Sequence, residues 1–388
     1  LHDALPMSAR ESKDRVAFFD VQLSAPKDVS VLAMVGGDER VMTAFKDSVH
    51  VALEEMERFA AVRERRGRAH ETEQFRLTAN FVGALFFPDA SRELDPQLHA
   101  HAVLAHATWD AARGEWYALP PAEMLRASGY LRQVLYRELA TRLRELGYET
   151  YGMGSTGFSV RGVEHLRERF SKRTHQVQRL AEEFARAKGR KPTKREVEIL
   201  VRESRGNKLP NVSTREVRAR QRAQLHADEM KALTELVRAA RGQTPRAQIS
   251  HGQIVNVLEA ALRHVFERAS VVRDGEVLNA ALELHPDFYR WRELRAALQS
   301  HGDAIRSEGE MSLRPIHREE HATIRRVKEG RGTRLALGDP AHLPERLTPG
   351  QRIAGRTLLA NKDFLSVLVG DAGTGKTTVL AAIEGAHV

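Results

Sequence analysis

The sequence predicts an α+β fold: a sheet domain covered on one side by helices, a mostly helical connector, and the opening of a P-loop α/β domain. Three observations carry this. Apolar residues alternate in strand fashion around residues 15–26, 75–87 and 99–108. Two amphipathic helix patterns stand among these strands without a regular strand–helix–strand repeat. Finally, an apolar run, a glycine-rich loop and a second apolar run close the sequence.

RVAFFDVQLSAP (15–26) alternates and ends in a Ser-Ala-Pro turn, as a strand should, and KDVSVLAMV reads as a short helix stopped by Gly36-Gly37. From Asp38, residues Val41, Phe45, Val49, Leu53, Met56 and Ala60 recur at helical spacing and face a core. FRLTANFVGALFF (75–87) keeps one alternation throughout and predicts a single second strand. DPQLHAHAVLAHATW predicts a third strand, and a turn at Asp110–Arg113 leads to a short one at Trp116-Tyr117. Residues 124–148 predict a long helix. Beyond about Gly162 the chain is charged and helical, with breaks at GRKPT, RGNKLPN and RGQTPR; a weaker apolar pattern from Ile254 to Leu298 suggests a small helical module. QRIAGRTLLANKD then predicts a helix, and FLSVLVGDAGTGKTT a strand, loop and helix.

Composition excludes several classes. With 41% apolar residues in 388, the chain can build two or three cores. No run of about eighteen apolar residues is present, and the first residues lack a signal-peptide apolar stretch. The chain has no cysteine, so disulfides and thiol nucleophiles are excluded and any metal must take His and carboxylate ligands. Net charge is +9, and residues 161–222 hold 19 Lys/Arg against 8 Glu and no Asp. Such a segment is the footprint of a polyanion binder or, equally, a solvated helical face.

Two motifs carry chemistry. Gly370-Asp-Ala-Gly373-Thr-Gly375-Lys376-Thr377-Thr378 matches G-x-x-x-x-G-K-T between an apolar strand and helix, where backbone N–H groups cradle phosphates, Lys376 reaches the outer ones and Thr377 holds Mg²⁺. ATP with Mg²⁺ is the implied ligand. His99 and His101 stand one residue apart on a strand, so both point to one face and could share a cation. Read alone, such a pair is more often structural than ligating.

FDVQLSAPKDVSVLAMVGGDER (19–40), ALFFPDASRELDPQLHAHAVLAHAT (84–108) and YRELATRLRELGYET (136–150) together resemble the conjugative relaxases of the TrwC/TraI type. These are HUH strand-transferases with a RecD-like helicase on the same polypeptide. LTPGQ adds to the likeness, since Gln351 stands where RecD-like helicases of superfamily 1 read adenine. The resemblance implies an HUH relaxase antiparallel sheet with flanking helices. It implies a divalent metal, Mg or Mn, on three histidines, and a tyrosine that attacks the scissile phosphate and stays joined to the 5′ end. His99 and His101 fall on two of the ligands, Asp20 on the carboxylate that orients the tyrosine and one histidine, and Arg92 on a position beside the bound strand. The implied partners are single-stranded DNA of a plasmid transfer origin and the conjugation machinery (a coupling protein and accessory DNA-binding proteins), in the bacterial cytoplasm with no membrane segment.

Two positions depart from the pattern. Pro88 stands where the first metal histidine belongs; neighbouring Asp89 or water would have to complete a weaker site. No tyrosine precedes Asp20, and Tyr117, Tyr130, Tyr136, Tyr148, Tyr151 and Tyr289 all lie far along the chain. The implied division is a relaxase domain over 1–162, a basic helical segment over 163–245, a degenerate helicase-like connector over 246–345 and a truncated helicase start over 346–388. Beginning at Leu1 and stopping one helix after the P-loop, the chain reads as a fragment, catalytically incomplete. It is then either part of a relaxase–helicase or a non-catalytic, relaxase-derived module that binds single-stranded DNA. A plain P-loop ATPase would make SAPKDVS and LHAH accidents.

Overall fold

The computed structural model describes residues 16–64, 74–88, 95–204, 213–243, 250–285, 290–307 and 309–386. It divides into two compact units, the second comprising residues 302–306 and those from Met311 onward.

In the first unit β1 (Phe18–Ser24), β5 (His99–Ala105) and β4 (Gly83–Phe86) form an antiparallel sheet in the order β1-β5-β4. Side chains alternate across it. Leu23, Ala100, Ala102 and Leu104 face inward and are buried, while Asp20, Gln22, His101 and Phe86 share the open face. Helix Lys27–Ser30 runs on through the wider turn Val31–Val35, which buries Val29, Val31, Leu32 and Val35 completely. Gly37 then turns the chain at φ 71°, a conformation that favours glycine.

Helix Glu39–Glu57 is capped by Asp38, whose carboxylate accepts from the Arg40 amide. Its apolar stripe buries Val41, Phe45, Val49, Ala52 and Met56, each large side chain gaining about 1.5–3 kcal/mol from leaving water. Helix Ser128–Glu145 lies against it and buries Leu131, Val134, Leu135 and Leu139.

The stretch 75–87 is not one strand. Its first part is β3 (Gln74–Leu77), which pairs with β2 (Ala61–Glu64); its second part is β4, in the other sheet. The break falls at Thr78-Ala79-Asn80. Ala79 adopts φ 53°, and the Asn80 side chain bonds the Thr78 and Trp109 carbonyls and the Trp109 amide. Polar contacts to a distant segment override an unbroken alternation. β6 (Thr108–Asp110) and β7 (Glu115–Tyr117) form the short hairpin expected after β5.

Helices His251–Phe266, Asp274–Leu284 and Trp291–Gln299 belong to this same unit. Trp291 donates to the Tyr130 hydroxyl, which donates to Glu55, and Arg295 donates to Glu55 at 2.6 Å. Burial pushes the Glu55 carboxyl up, and Arg295 and Tyr130 only partly offset that.

The second unit holds helices Arg314–Glu329, Pro349–Ala360 and Lys376–Ala386, with Leu359, Val379 and Ile383 buried together beside Leu343 and Leu368. The expected strand over FLSVLV is absent as a strand. This run has no hydrogen-bonded partner strand among the described residues, and Leu365, Val367 and Val369 are exposed.

Candidate metal and DNA site

The open face of the sheet brings Asp20, His99 and His101 together. Gln22 stands opposite His101 and Ser24 opposite His99, so Asp20 is the diagonal neighbour of His101 across the ladder. Both Asp20 carboxylate oxygens lie 2.9 Å from His101 Nδ1. The His99 ring stands edge-on to that of His101, centroids 5.3 Å apart, and its Nδ1 is 2.8 Å from the Gln97 carbonyl oxygen.

These contacts fix the tautomers. A carbonyl can only accept, and so can an ionised carboxylate, so in the neutral rings both Nδ1 atoms carry the hydrogen and both Nε2 atoms keep a lone pair. Neither Nε2 has a hydrogen bond among the described residues. Metal-binding histidines are oriented in this manner, one nitrogen tied to an oxygen acceptor and the other free to ligate. His99 is buried, and that burial lowers its pKa, with the neighbouring His101 adding to the effect. The neutral form, which metal binding needs, is favoured.

No group of three His, Cys, Asp or Glu suited to a metal occurs among the described residues. The β4–β5 register pairs Phe86 with His101, and carried two residues further it sets Pro88 opposite His99 on the same face. Phe87, between them, points the other way and packs on Phe45. Position 88, so extended, shares the face of His99, and a proline side chain has no donor atom. His106 packs on Phe19, with its Nδ1 at the Val16 carbonyl, away from the pair. Asp89 and Arg92 lie outside the described residues.

The structure also shows what SAPKDVS does, a role that spacing alone did not suggest. The Ala25 amide donates to the Leu98 carbonyl, Lys27 Nζ to the Pro96 carbonyl, and the Leu98 amide to Ser30 Oγ, each at 2.9 Å. Asp28 accepts from the Val160 amide and from Arg167. The motif holds the entry to the histidine strand.

In the second unit Lys376 opens its helix, with Thr377 and Thr378 in the first turn. The Lys376 ammonium donates to the Gly370 and Asp371 carbonyls at 2.7 and 2.8 Å. Gly373 and Gly375 both take φ 79°, and Gln351 Nε2 donates to the Thr374 carbonyl at 3.1 Å. Gln351 and the glycine loop are thus in contact across more than twenty residues of sequence.

Comparison with known proteins matches residues 3–228, over half the chain, to the TrwC relaxase family. The chain belongs to the TrwC relaxase family. Residues 346–387 match an AAA domain. The multifunctional conjugation protein TraI of Escherichia coli K12 is 37% identical over 183 residues, 44% of this chain and 10% of that protein; a second Escherichia coli TraI matches equally. The chain thus spans about a tenth of the length of these relatives. Among solved structures, metal-bound conjugative relaxase TrwC in complex with oriT DNA is 31% identical, covering 59% of this chain and 76% of its own, with TM-score 0.49. The metal-free complex is 33% identical over 55% and 73%, with TM-score 0.47. This member of the TrwC relaxase family places His99, His101 and Asp20 together on one face of an antiparallel sheet.

Proposed function

We propose that this chain is the DNA-holding part of a conjugative relaxase–helicase, and that it binds single-stranded DNA of a transfer origin across the open face of the β1-β5-β4 sheet. The observation that carries this is the Asp20–His101–His99 arrangement, with neither Nε2 hydrogen-bonded among the described residues. His99 and His101 would hold a divalent cation, Mg²⁺ or Mn²⁺, completed by water or Asp89. When bound, that cation polarises the scissile phosphate and offsets the charge developing on it. Asp20 keeps His101 in the ligating tautomer. Phe86, opposite His101 and exposed, offers a base a stacking surface, and Arg92 offers a phosphate contact. The basic helices 163–245 add phosphate contacts. ATP with Mg²⁺ occupies the P-loop at Gly370–Thr378, with Gln351 beside the base.

Pro88 favours a second reading, in which the sheet binds DNA and does not cut it. Tyr130, Tyr136 and Tyr148 are buried in the core, so none of them is presented to a phosphate. The test is fluorescence anisotropy with a labelled single-stranded oligonucleotide, with and without Mn²⁺. Binding that falls steeply with salt, as counterion release requires, and persists in His99→Ala/His101→Ala supports a DNA-binding sheet. A metal titration left unchanged by His99→Ala would remove the ligand assignment while leaving DNA binding standing.

A further inference from the structure

A second pair of histidines lies in the second unit. Helix Arg314–Glu329 places His317 and His321 four residues apart, on one face and one turn from each other. Their rings are 4.4 Å apart between centroids, with Nε2 to Nε2 at 3.2 Å. Both side chains are exposed.

The geometry points to a two-histidine chelate for a transition-metal dication. If each metal–nitrogen bond is about 2.1 Å, two nitrogens 3.2 Å apart subtend roughly 100° at the metal, within the range for tetrahedral or cis-octahedral ligands. The rings already hold that separation through a shared hydrogen, one Nε2–H donating to the other Nε2. A cation takes both lone pairs once the shared hydrogen moves to Nδ1 of its own ring. No proton need leave the protein, and no side chain need leave its helix.

The surroundings decide which ion and which role. His317-Arg318-Glu319-Glu320-His321 has the H-x-x-E-H order of an inverted zinc-peptidase motif. Hydrolysis needs a third protein ligand and a walled cleft; the helix has no buried residue, and no group of three ligands occurs among the described residues. The chelate is therefore structural, with water in the remaining positions, and it staples one helical turn. Arg314, Arg318 and Arg325 lie within a turn of the pair and disfavour any cation held by charge alone. Selection falls to imidazole-preferring ions, Cu²⁺ above Ni²⁺ and Zn²⁺, with Mg²⁺ and Mn²⁺ excluded.

The experiment uses the full chain in a His99→Ala/His101→Ala background, so that the relaxase pair contributes nothing. Calorimetric titration with NiCl₂ or ZnCl₂ is compared before and after adding His317→Ala or His321→Ala; the helix is exposed, so neither change endangers folding. The expected result is loss of one metal equivalent per chain in both variants. Amide exchange over residues 314–329 should slow about elevenfold when Zn²⁺ stands at ten times its Kd, in the parent only. Unchanged stoichiometry in both variants, or exchange indifferent to Zn²⁺, overturns the site.

Discussion

Replacing Pro88 by histidine should complete the metal site proposed at His99 and His101. The β4–β5 register sets position 88 opposite His99, and Phe87, packed on Phe45, points to the opposite side. A histidine there joins His99 and His101 on the open face. Because position 88 follows β4 by only two residues, a third imidazole there adds a coordinate bond at a modest ordering cost. On the order of a hundredfold gain in Mn²⁺ affinity follows, about 2.8 kcal/mol at 1.4 kcal/mol per tenfold. Against it stands the loss of a proline, which loosens the unfolded chain by about 0.4–1 kcal/mol. The metal-free variant should therefore unfold slightly more easily than the parent, and the Mn²⁺-saturated variant less easily. Calorimetric Mn²⁺ titration and urea unfolding with and without Mn²⁺ read both quantities. A folded Pro88→His variant whose Mn²⁺ affinity stays within twofold of the parent would refute the register argument. So would a gain that survives His99→Ala.

Arg295→Met should cost about 3 kcal/mol, the low end for breaking a buried pair, because it leaves the buried Glu55 carboxylate with only the half-exposed Arg58 beside it, whereas Glu55→Gln/Arg295→Met should cost less than the two single changes summed; urea unfolding of the four proteins gives the coupling. Asp38 makes stability fall in acid. Burial works to raise its carboxyl pKa, but hydrogen bonds from Arg40 and Tyr148 outweigh that and hold it below the ordinary value. Its contribution is thus complete above the unfolded pKa and lost as pH falls through the folded one, and Asp38→Asn should flatten that acid limb in chemical unfolding. Gly375→Ala should weaken binding of a fluorescent ATP analogue at least tenfold, since φ 79° strains any residue with a Cβ and the new Cβ would push Gln351 Nε2 away from the loop.

Much of the frame was legible because periodicity reports directly on burial. The β1 and β5 alternation, the 39–57 helix stripe and the shared face of His99 and His101 follow from local spacing alone. The split of 75–87 into β3 and β4 was not legible, since it depends on Asn80 finding Trp109 and Thr78 finding Thr108. Hairpin 150–160 escaped notice for a similar reason: its strands are short and glycine-rich, and Asp28 ties one to the sheet domain through the Val160 amide. SAPKDVS was legible as a signature and not as a device; only the contacts of Lys27 and Ser30 to residues 96–98 show why it travels with the histidine strand. The docking of helices 251–299 on Tyr130 and Glu55 left no trace in composition, because a buried ion pair reads in sequence as two ordinary surface charges.

The most direct test of the account is to mix the 388-residue chain with a transfer-origin oligonucleotide and Mn²⁺, then to run the products on native and denaturing gels. The account predicts a shifted complex on the native gel and free oligonucleotide on the denaturing one, because the sheet holds the strand while none of the buried tyrosines reaches it. A covalent protein–DNA band on the denaturing gel, or no shift on the native one, would contradict it.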